Sequence, residues 1–516
     1  TKLTQSRFEH VHILVVLFVV HELRLINNRR TGFSTFDGIQ KHTHGQSLLC
    51  HRGRSLLRLP DVVLTGQESG EQGRQLHVGR ELVDVSRHTS QGGSRGIGVV
   101  GGPEPLAELP RERVDYGALW KRFFPVLKKL CGNAKNNPAA LKKFGDIGEF
   151  REKNKDWLPG YALFCALKNH FGGKPWYEWP PEARIFPAAR RHDWDAGVRA
   201  DVEMFEIAQF LFFSQWRALR KYAFEHGVGI IGDAPIFVAP DSADVWQNPE
   251  IFQLDKSGLP ESVAGVPPDY FSADGQLWGN PLYDWNELAR THYGWWLRRL
   301  HANFELYDIV RLDHFRGFYD YWRIPADSPT AKTGHWALGP GLDFFKTVQK
   351  TLGNAQLIAE DLGDMNDGVR ELLAETGLPG MAVLQFAFGG DASNLYLPHN
   401  IEANTVVYPG THDNNTCVGW YASTSEHTRD HFRRYLWSDG KTPHWAMINA
   451  AFKAHAKIAV VAMQDILGLG EEARFNEPGT SQKNWQWRMT EEQFAEAERD
   501  HAKTLRDLAE LSGRAF

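Results

Sequence analysis

The chain has 516 residues and a formal net charge of −5, with 58 Lys and Arg interspersed among 63 Asp and Glu. That balance argues against nucleic acid or an anionic membrane as the main partner, and the length suits one large barrel body with insertions as well as several small domains. Four scattered cysteines (Cys50, Cys131, Cys165, Cys417) make no CxxC or metal-ligand spacing and fit free thiols in a reducing compartment.

Near the N-terminus the apolar run from Ile13 to Val20 falls far short of the roughly 20 residues that span a bilayer. His21-Glu22-Leu23-Arg24 is no small-residue cleavage site, so a cytoplasmic protein with no membrane partner is expected. No aromatic residue occurs between Phe36 and Tyr116, and no Lys between Lys41 and Lys121, where nine Arg do occur. Gln91-Gly92-Gly93-Ser94-Arg95-Gly96 reads as flexible linker. Residues 1–105 therefore cannot bury enough apolar surface to offset their ordering entropy, and the expectation is an atypical segment, disordered or mistranslated. His42, His44 and His51 lack companion ligands at a recognised spacing, and no metal site is expected there.

From residue 106 the composition becomes that of a globular body. Residues 116–131 and 147–171 suit amphipathic helices within an inserted helical subdomain of about 116–200, and 200–226 reads as a long helix ending at Gly227. All 18 Trp lie at or after Trp120. Their flat apolar faces with one N–H donor suit ordinary packing, and equally the C–H faces of sugar rings.

Beyond Gly227 short β-branched runs repeatedly end in an acid and are followed by a helix-like stretch. The runs are VGIIGD to Asp233, YDIVRLD to Asp313, AQLIAED to Glu360 and Asp361, TVVYPGTHD to Asp413, and IAVVAMQD to Asp465; MAVLQFAF (381–388) lacks the acid. Such alternation predicts βα units and a parallel sheet, and six in series favour a barrel over an open sheet. In a barrel every strand's C-terminal end faces one mouth, so the acids converge there. Any one of them alone could be a helix N-cap. Gathering several like charges gains nothing for folding, so the set points to chemistry.

Two chemistries use clustered carboxylates: divalent-cation binding, and retaining glycosidic cleavage by one ionised and one protonated acid. Arg311 stands two residues before Asp313, on the same strand face, where its charge keeps Asp313 ionised as a nucleophile requires. A buried Arg would compete with a cation. Glu360 has no cation beside it in sequence and can stay protonated. His412, next to Asp413, can donate to a sugar hydroxyl, and no Lys stands near these strand ends to act as the base of the metal-dependent class.

The segments GIIGDAPIFVAPDSADVW (229–246), PPDYFSADGQLWGNPLYDW (267–285), VRLDHFRGF (310–318), LIAEDLG (357–363), YPGTHDNNT (408–416) and GLGEEARFNEPGTSQKNWQWR (468–488) closely resemble the amylomaltase family, the 4-α-glucanotransferases, from about Leu106 to about Arg488. The resemblance implies a (β/α)8 TIM barrel with helical and loop insertions that transfers α-1,4-glucan segments to another glucan or glucose by double displacement. It implies Asp313 as nucleophile, Glu360 as general acid and then base, and Asp413 as holder of the 2- and 3-hydroxyls of the distorted sugar. Arg311 and His412 would contact Asp313 and the donor glucose, and Asp233 would support the same subsite. Tyr270, Phe271 and Trp278 would line an active-site lid of about 241–285, in which Gly275 to Pro281 reads as a shaped loop. No cofactor and no metal are implied.

The family's first two barrel strands are not recognisable in residues 1–105. Two other readings of the same acids are therefore kept beside transfer: an α-amylase-like hydrolase with water as acceptor, and a glucan-binding protein that does not turn over.

Overall fold

The computed structural model describes residues 109–268, 272–480 and 483–515. The expectations for residues 1–105 and for the first two barrel strands lie outside them, as do Tyr270 and Phe271.

Six short parallel strands carry the fold: β1 (Ile231–Ala234), β4 (Ile309–Leu312), β7 (Leu357–Ala359), β8 (Gly380–Val383), β9 (Thr405–Tyr408) and β10 (Ile458–Ala459). They form two parallel sheets, β1-β4-β7 and β8-β9-β10. A backbone bond from Ala359 N–H to the Pro379 carbonyl (2.9 Å) bridges the two. Spatial order therefore follows chain order from β1 to β10. A doubly wound sheet reverses its order at a switch point, and no reversal occurs among the described strands.

Period-2 alternation divides the strand residues between two surroundings. Ile231, Ile309, Ile358, Met381, Val406 and Ile458, one from each strand, join a single interior cluster with Val383, Tyr408 and Val460. Their alternates Val310, Leu312, Leu357 and Ala359 pack outward into the helical layer. Arg311 Nε lies 3.4 Å from Met381 Sδ. On a flat sheet those two strands would stand almost 10 Å apart, so the contact marks a sheet curled on itself. This is the (β/α)8-barrel architecture.

Helices occur where the sequence leads one to expect them, although the stretch 147–171 divides into Ile147–Lys153 and Leu158–His170. The 30-residue helix Ala196–Glu225 starts at an Asp195 cap, whose carboxylate accepts the Gly197 and Val198 amides at 2.7 and 3.0 Å, and stops at Gly227 with φ +72°. It packs against Leu158–His170, and both share one apolar cluster with the barrel's outer face.

Two expectations are corrected. Residues 276–281 are not a loop: they form strand β3 (Gln276–Pro281) of an antiparallel sheet with β2 (Ser262–Val266), β5 (Asp320–Pro325) and β6 (His335–Leu338) in the order β3-β2-β5-β6. Gly275 (φ +67°) enters the strand, and Gly279 (φ +78°) lies where the β2–β3 register shifts, so the glycines serve a bulged strand. Asp465 does not end a strand either. β10 stops at Ala459, and Asp465 lies in the short helix Met463–Ile466.

Candidate active site

The carboxylates collect around Arg311. Strand register sets Arg311 opposite Asp233, and Nη1 donates to Asp233 Oδ2 at 2.6 Å. Nη2 donates to Asp313 Oδ1 at 2.8 Å, as the two-residue spacing within one strand face predicts. The Arg311 side chain is 4% exposed and that of Asp313 21%, so the guanidinium is sealed beneath a carboxylate open to the mouth. Asp233 is buried, and its Oδ1 has no hydrogen-bond partner. Burial pushes the Asp233 carboxyl above its ordinary range, against the pull of Arg311.

Glu360 follows β7 directly. Its backbone extends the ladder, the amide donating to the Leu312 carbonyl at 3.0 Å and the carbonyl accepting from Phe315 N–H at 3.0 Å. Its Oε2 accepts the His314 amide at 2.7 Å and its Oε1 the Leu362 amide at 2.9 Å. Burial raises the Glu360 carboxyl to about 7, with Arg311 pulling it down and Asp313 pushing it up. A group poised there holds its proton in part at neutral pH and can both give and take it. His314 itself occupies the left-handed region (φ 53°). Burial lowers its imidazole to about 4, so the ring is neutral, and it packs edge-on to Trp278 of β3 at 4.9 Å.

Asp413 lies five residues beyond β9. Its Oδ1 accepts from Asn476 Nδ2 at 2.5 Å, its Oδ2 lies 3.3 Å from His412 Nε2, and its carbonyl accepts from Arg474 at 3.0 Å. The side chain is 33% exposed. Burial works against the imidazolium of His412, but the Asp413 carboxylate outweighs it and holds the group above its ordinary value. Nδ1 of the same ring is buried with no hydrogen-bond partner.

The structure thus joins Asp233, Arg311 and Asp313 in one hydrogen-bonded network at the strand ends, places Glu360 within electrostatic reach of Arg311 and Asp313, sets Trp278 against the His314 turn and orients Asp413 beside His412. Asp465 and Asp361 serve elsewhere. Asp465 accepts the Cys417 amide at 2.7 Å at the start of helix Cys417–Ser423, and Asp361 accepts the Met381 amide at 2.6 Å. Asn476 and Arg474 were missed as orienters of Asp413. They stand in a quoted segment, ARFNEPG, yet no sequence spacing ties them to a residue more than 60 positions away. No cluster of three or more His, Cys, Asp or Glu arranged to hold a metal occurs among the described residues.

A family model described as 4-alpha-glucanotransferase matches residues 95–493. The 4-alpha-glucanotransferase of Thermus thermophilus is 44% identical over 414 residues, covering 79% of this chain and 82% of that protein. That of Streptococcus pneumoniae (strain ATCC BAA-334 / TIGR4) is 42% identical over 393 residues, 74% of this chain and 76% of that one. Among solved structures, the amylomaltase from Streptococcus agalactiae in complex with acarbose is similar with a TM-score of 0.74 at 34% identity, covering 80% of this chain and 83% of that one. The amylomaltase from Corynebacterium glutamicum, at 17% identity and a TM-score of 0.59, shares the fold.

Proposed function

The chain belongs to the 4-alpha-glucanotransferase family, and from that premise we propose that its carboxylate network breaks and remakes α-1,4-glucosidic bonds by double displacement. The observation that carries the proposal is the asymmetry of two acids at neighbouring strand ends. Asp313 is held 2.8 Å from a buried guanidinium, while burial lifts Glu360 to about 7. One is kept ionised to attack; the other keeps a proton to give.

In the first step Asp313 attacks the anomeric carbon of the donor sugar as the bond to the leaving oxygen breaks, and the Glu360 proton passes to that oxygen. The product is a glycosyl ester on Asp313 and a shortened glucan. In the second step Glu360, now ionised, takes the proton of an acceptor's 4-hydroxyl, whose oxygen displaces Asp313. Net charge and proton count return to their starting values. Asp413 receives sugar hydroxyls, oriented from behind by Asn476 and His412, and Asp233 anchors Arg311 beneath the nucleophile. Transfer rather than hydrolysis requires that water be kept from the ester. The insertion of about 241–285, with Trp278 against His314, suits that task as a lid. Helices of about 116–200 form a supporting subdomain of the catalytic body. α-1,4-Glucans are the donors, and glucans or glucose the acceptors.

A cytoplasmic setting belongs to the same proposal. Among the described residues Cys131 and Cys417 are free and buried, and no helix among those residues is long and apolar enough to cross a membrane. Incubation with maltotriose tests the activity. Transfer yields glucose together with longer maltodextrins; shorter sugars alone would establish hydrolysis, and no products would overturn turnover altogether.

A further inference from the structure

β6 is one of the two edge strands of the antiparallel sheet as described, and it carries Trp336 with 36% of its surface exposed. The ring is held from two sides. The Arg316 guanidinium lies over its face, 3.6 Å from the ring centroid. Trp322, its cross-strand partner on β5, meets it in a T-shaped contact at 5.1 Å, and Trp322 is itself fixed by a 2.8 Å bond from Nε1 to the Ala331 carbonyl. Held by the guanidinium on one face and by Trp322, the ring still leaves about a third of its surface open. Leu338, two positions along the same strand, extends the exposed apolar strip.

What holds Trp336 also ties it to the reaction centre. Arg316 is buried, three residues after Asp313, and pairs with Asp320 at 2.7 and 3.3 Å. Its Nη1 donates to the carbonyl of Asp364, four residues after Glu360. One guanidinium therefore clamps the turn after Asp313 to the turn after Glu360, and Trp336 lies on that clamp. Three residues of chain span at most about 11 Å, and the Arg316 side chain with its contact to the ring adds a comparable length, so the ring stands within several sugar units of Asp313. At the other end of the same turn Trp278 packs against His314. Two tryptophans thus flank residues 314–316.

We propose that Trp336 is a stacking platform for an α-1,4-glucan chain beyond the bond being transferred, its exposed surface receiving the C–H face of a sugar ring while Arg316 holds it rigid. The proposal rests on the transferase reading above. A fixed flat ring loses little conformational freedom on binding. A ring reached only by longer chains makes the enzyme select for chain length. A purely structural ring would act differently, as a cover for Arg316 whose loss weakens all substrates alike.

The test compares maltotriose and maltoheptaose as donors for the full chain and its Trp336→Phe, Trp336→Leu and Trp336→Ala variants, with thermal midpoints measured alongside. The ratio of kcat/KM for maltoheptaose to that for maltotriose is expected to fall on the order of tenfold in Trp336→Ala and Trp336→Leu, mostly through KM, and to be largely kept in Trp336→Phe. An unchanged ratio, or an equal loss on both donors that tracks a fall in thermal midpoint, would overturn the platform. Should the wild type fail to transfer from maltotriose, the transferase reading falls on its own. Titration of intrinsic fluorescence with maltoheptaose then decides the platform: weaker binding in Trp336→Leu supports it, and equal binding rejects it.

Discussion

The backbone amide of His314 donates to Oε2 of Glu360 at 2.7 Å, and it does so from a left-handed backbone. That conformation costs a residue with a Cβ about 1–2 kcal/mol, and a β-branched residue more. The residue that follows the proposed nucleophile, Asp313, thus uses a strained backbone to hold the Glu360 carboxylate. His314→Asn, which tolerates the left-handed region, should keep the basic limb of the pH–rate profile in place. His314→Val should lose the amide contact, lower kcat on the order of tenfold and move that limb to higher pH, since a hydrogen bond that favours the carboxylate is gone. Identical profiles for the two variants would show that the backbone conformation is not what positions Glu360.

Glu360 sets its own pH limit. Its donating form is protonated and its carboxyl lies at about 7, so kcat/KM is expected to fall as pH rises through that value. Glu360→Gln should remove the limb and nearly all transfer from maltotriose. It should still permit the first step with α-glucosyl fluoride, whose leaving group needs little protonation. Burst formation of a glycosyl-enzyme from the fluoride by mass spectrometry checks this, and failure to see any ester would count against Asp313 as well as Glu360.

Arg311 and Asp313 should separate stability from catalysis. Arg311 serves two carboxylates from a buried position, and breaking such a pair costs about 3–5 kcal/mol. Arg311→Met should therefore lower both the denaturation midpoint and activity. Asp313→Asn leaves Arg311 paired with Asp233, so it should abolish turnover at near wild-type stability. Retained transfer in Asp313→Asn would remove it as the nucleophile.

The sites legible in the sequence were those written within one strand or its immediate end. Arg311 and Asp313 share a face because strands alternate, and Asp233 lies beside them because β1 and β4 pair in register. What depends on distant contact was not legible. Gly275 to Pro281 carries turn residues, but pairing with β2 overrides the local preference. Asp465 follows an apolar run like the others, yet β10 ends after two residues and the chain turns into a short helix, so the carboxylate meets Cys417 rather than the mouth. Asn476 reaches Asp413 across more than 60 residues. Trp336 lies in no motif, and only the cross-strand pairing with Trp322 and the clamp of Arg316 give it a place.

Asp465 gives a last prediction, about folding rather than chemistry. Burial raises its carboxyl from the ordinary 3.8 to about 6, with the Cys417 amide opposing the rise. Between those values the folded protein holds a proton that the unfolded chain has released. Stability contributed by this group therefore falls as pH climbs through about 4 to 6, and the whole loss is present above it. A rise of that size corresponds to about 3 kcal/mol at most. Asn at this position keeps an oxygen to accept the Cys417 amide and carries no charge to bury. Asp465→Asn should accordingly narrow the difference in thermal midpoint between pH 5 and pH 8 while leaving transfer from maltotriose near wild type, as suits a carboxylate outside the reacting network. Equal pH dependence in the two proteins would show that the Asp465 charge is not buried at a cost. A large loss of transfer in a well-folded variant would instead return Asp465 to the group of strand-end acids that converge on the mouth.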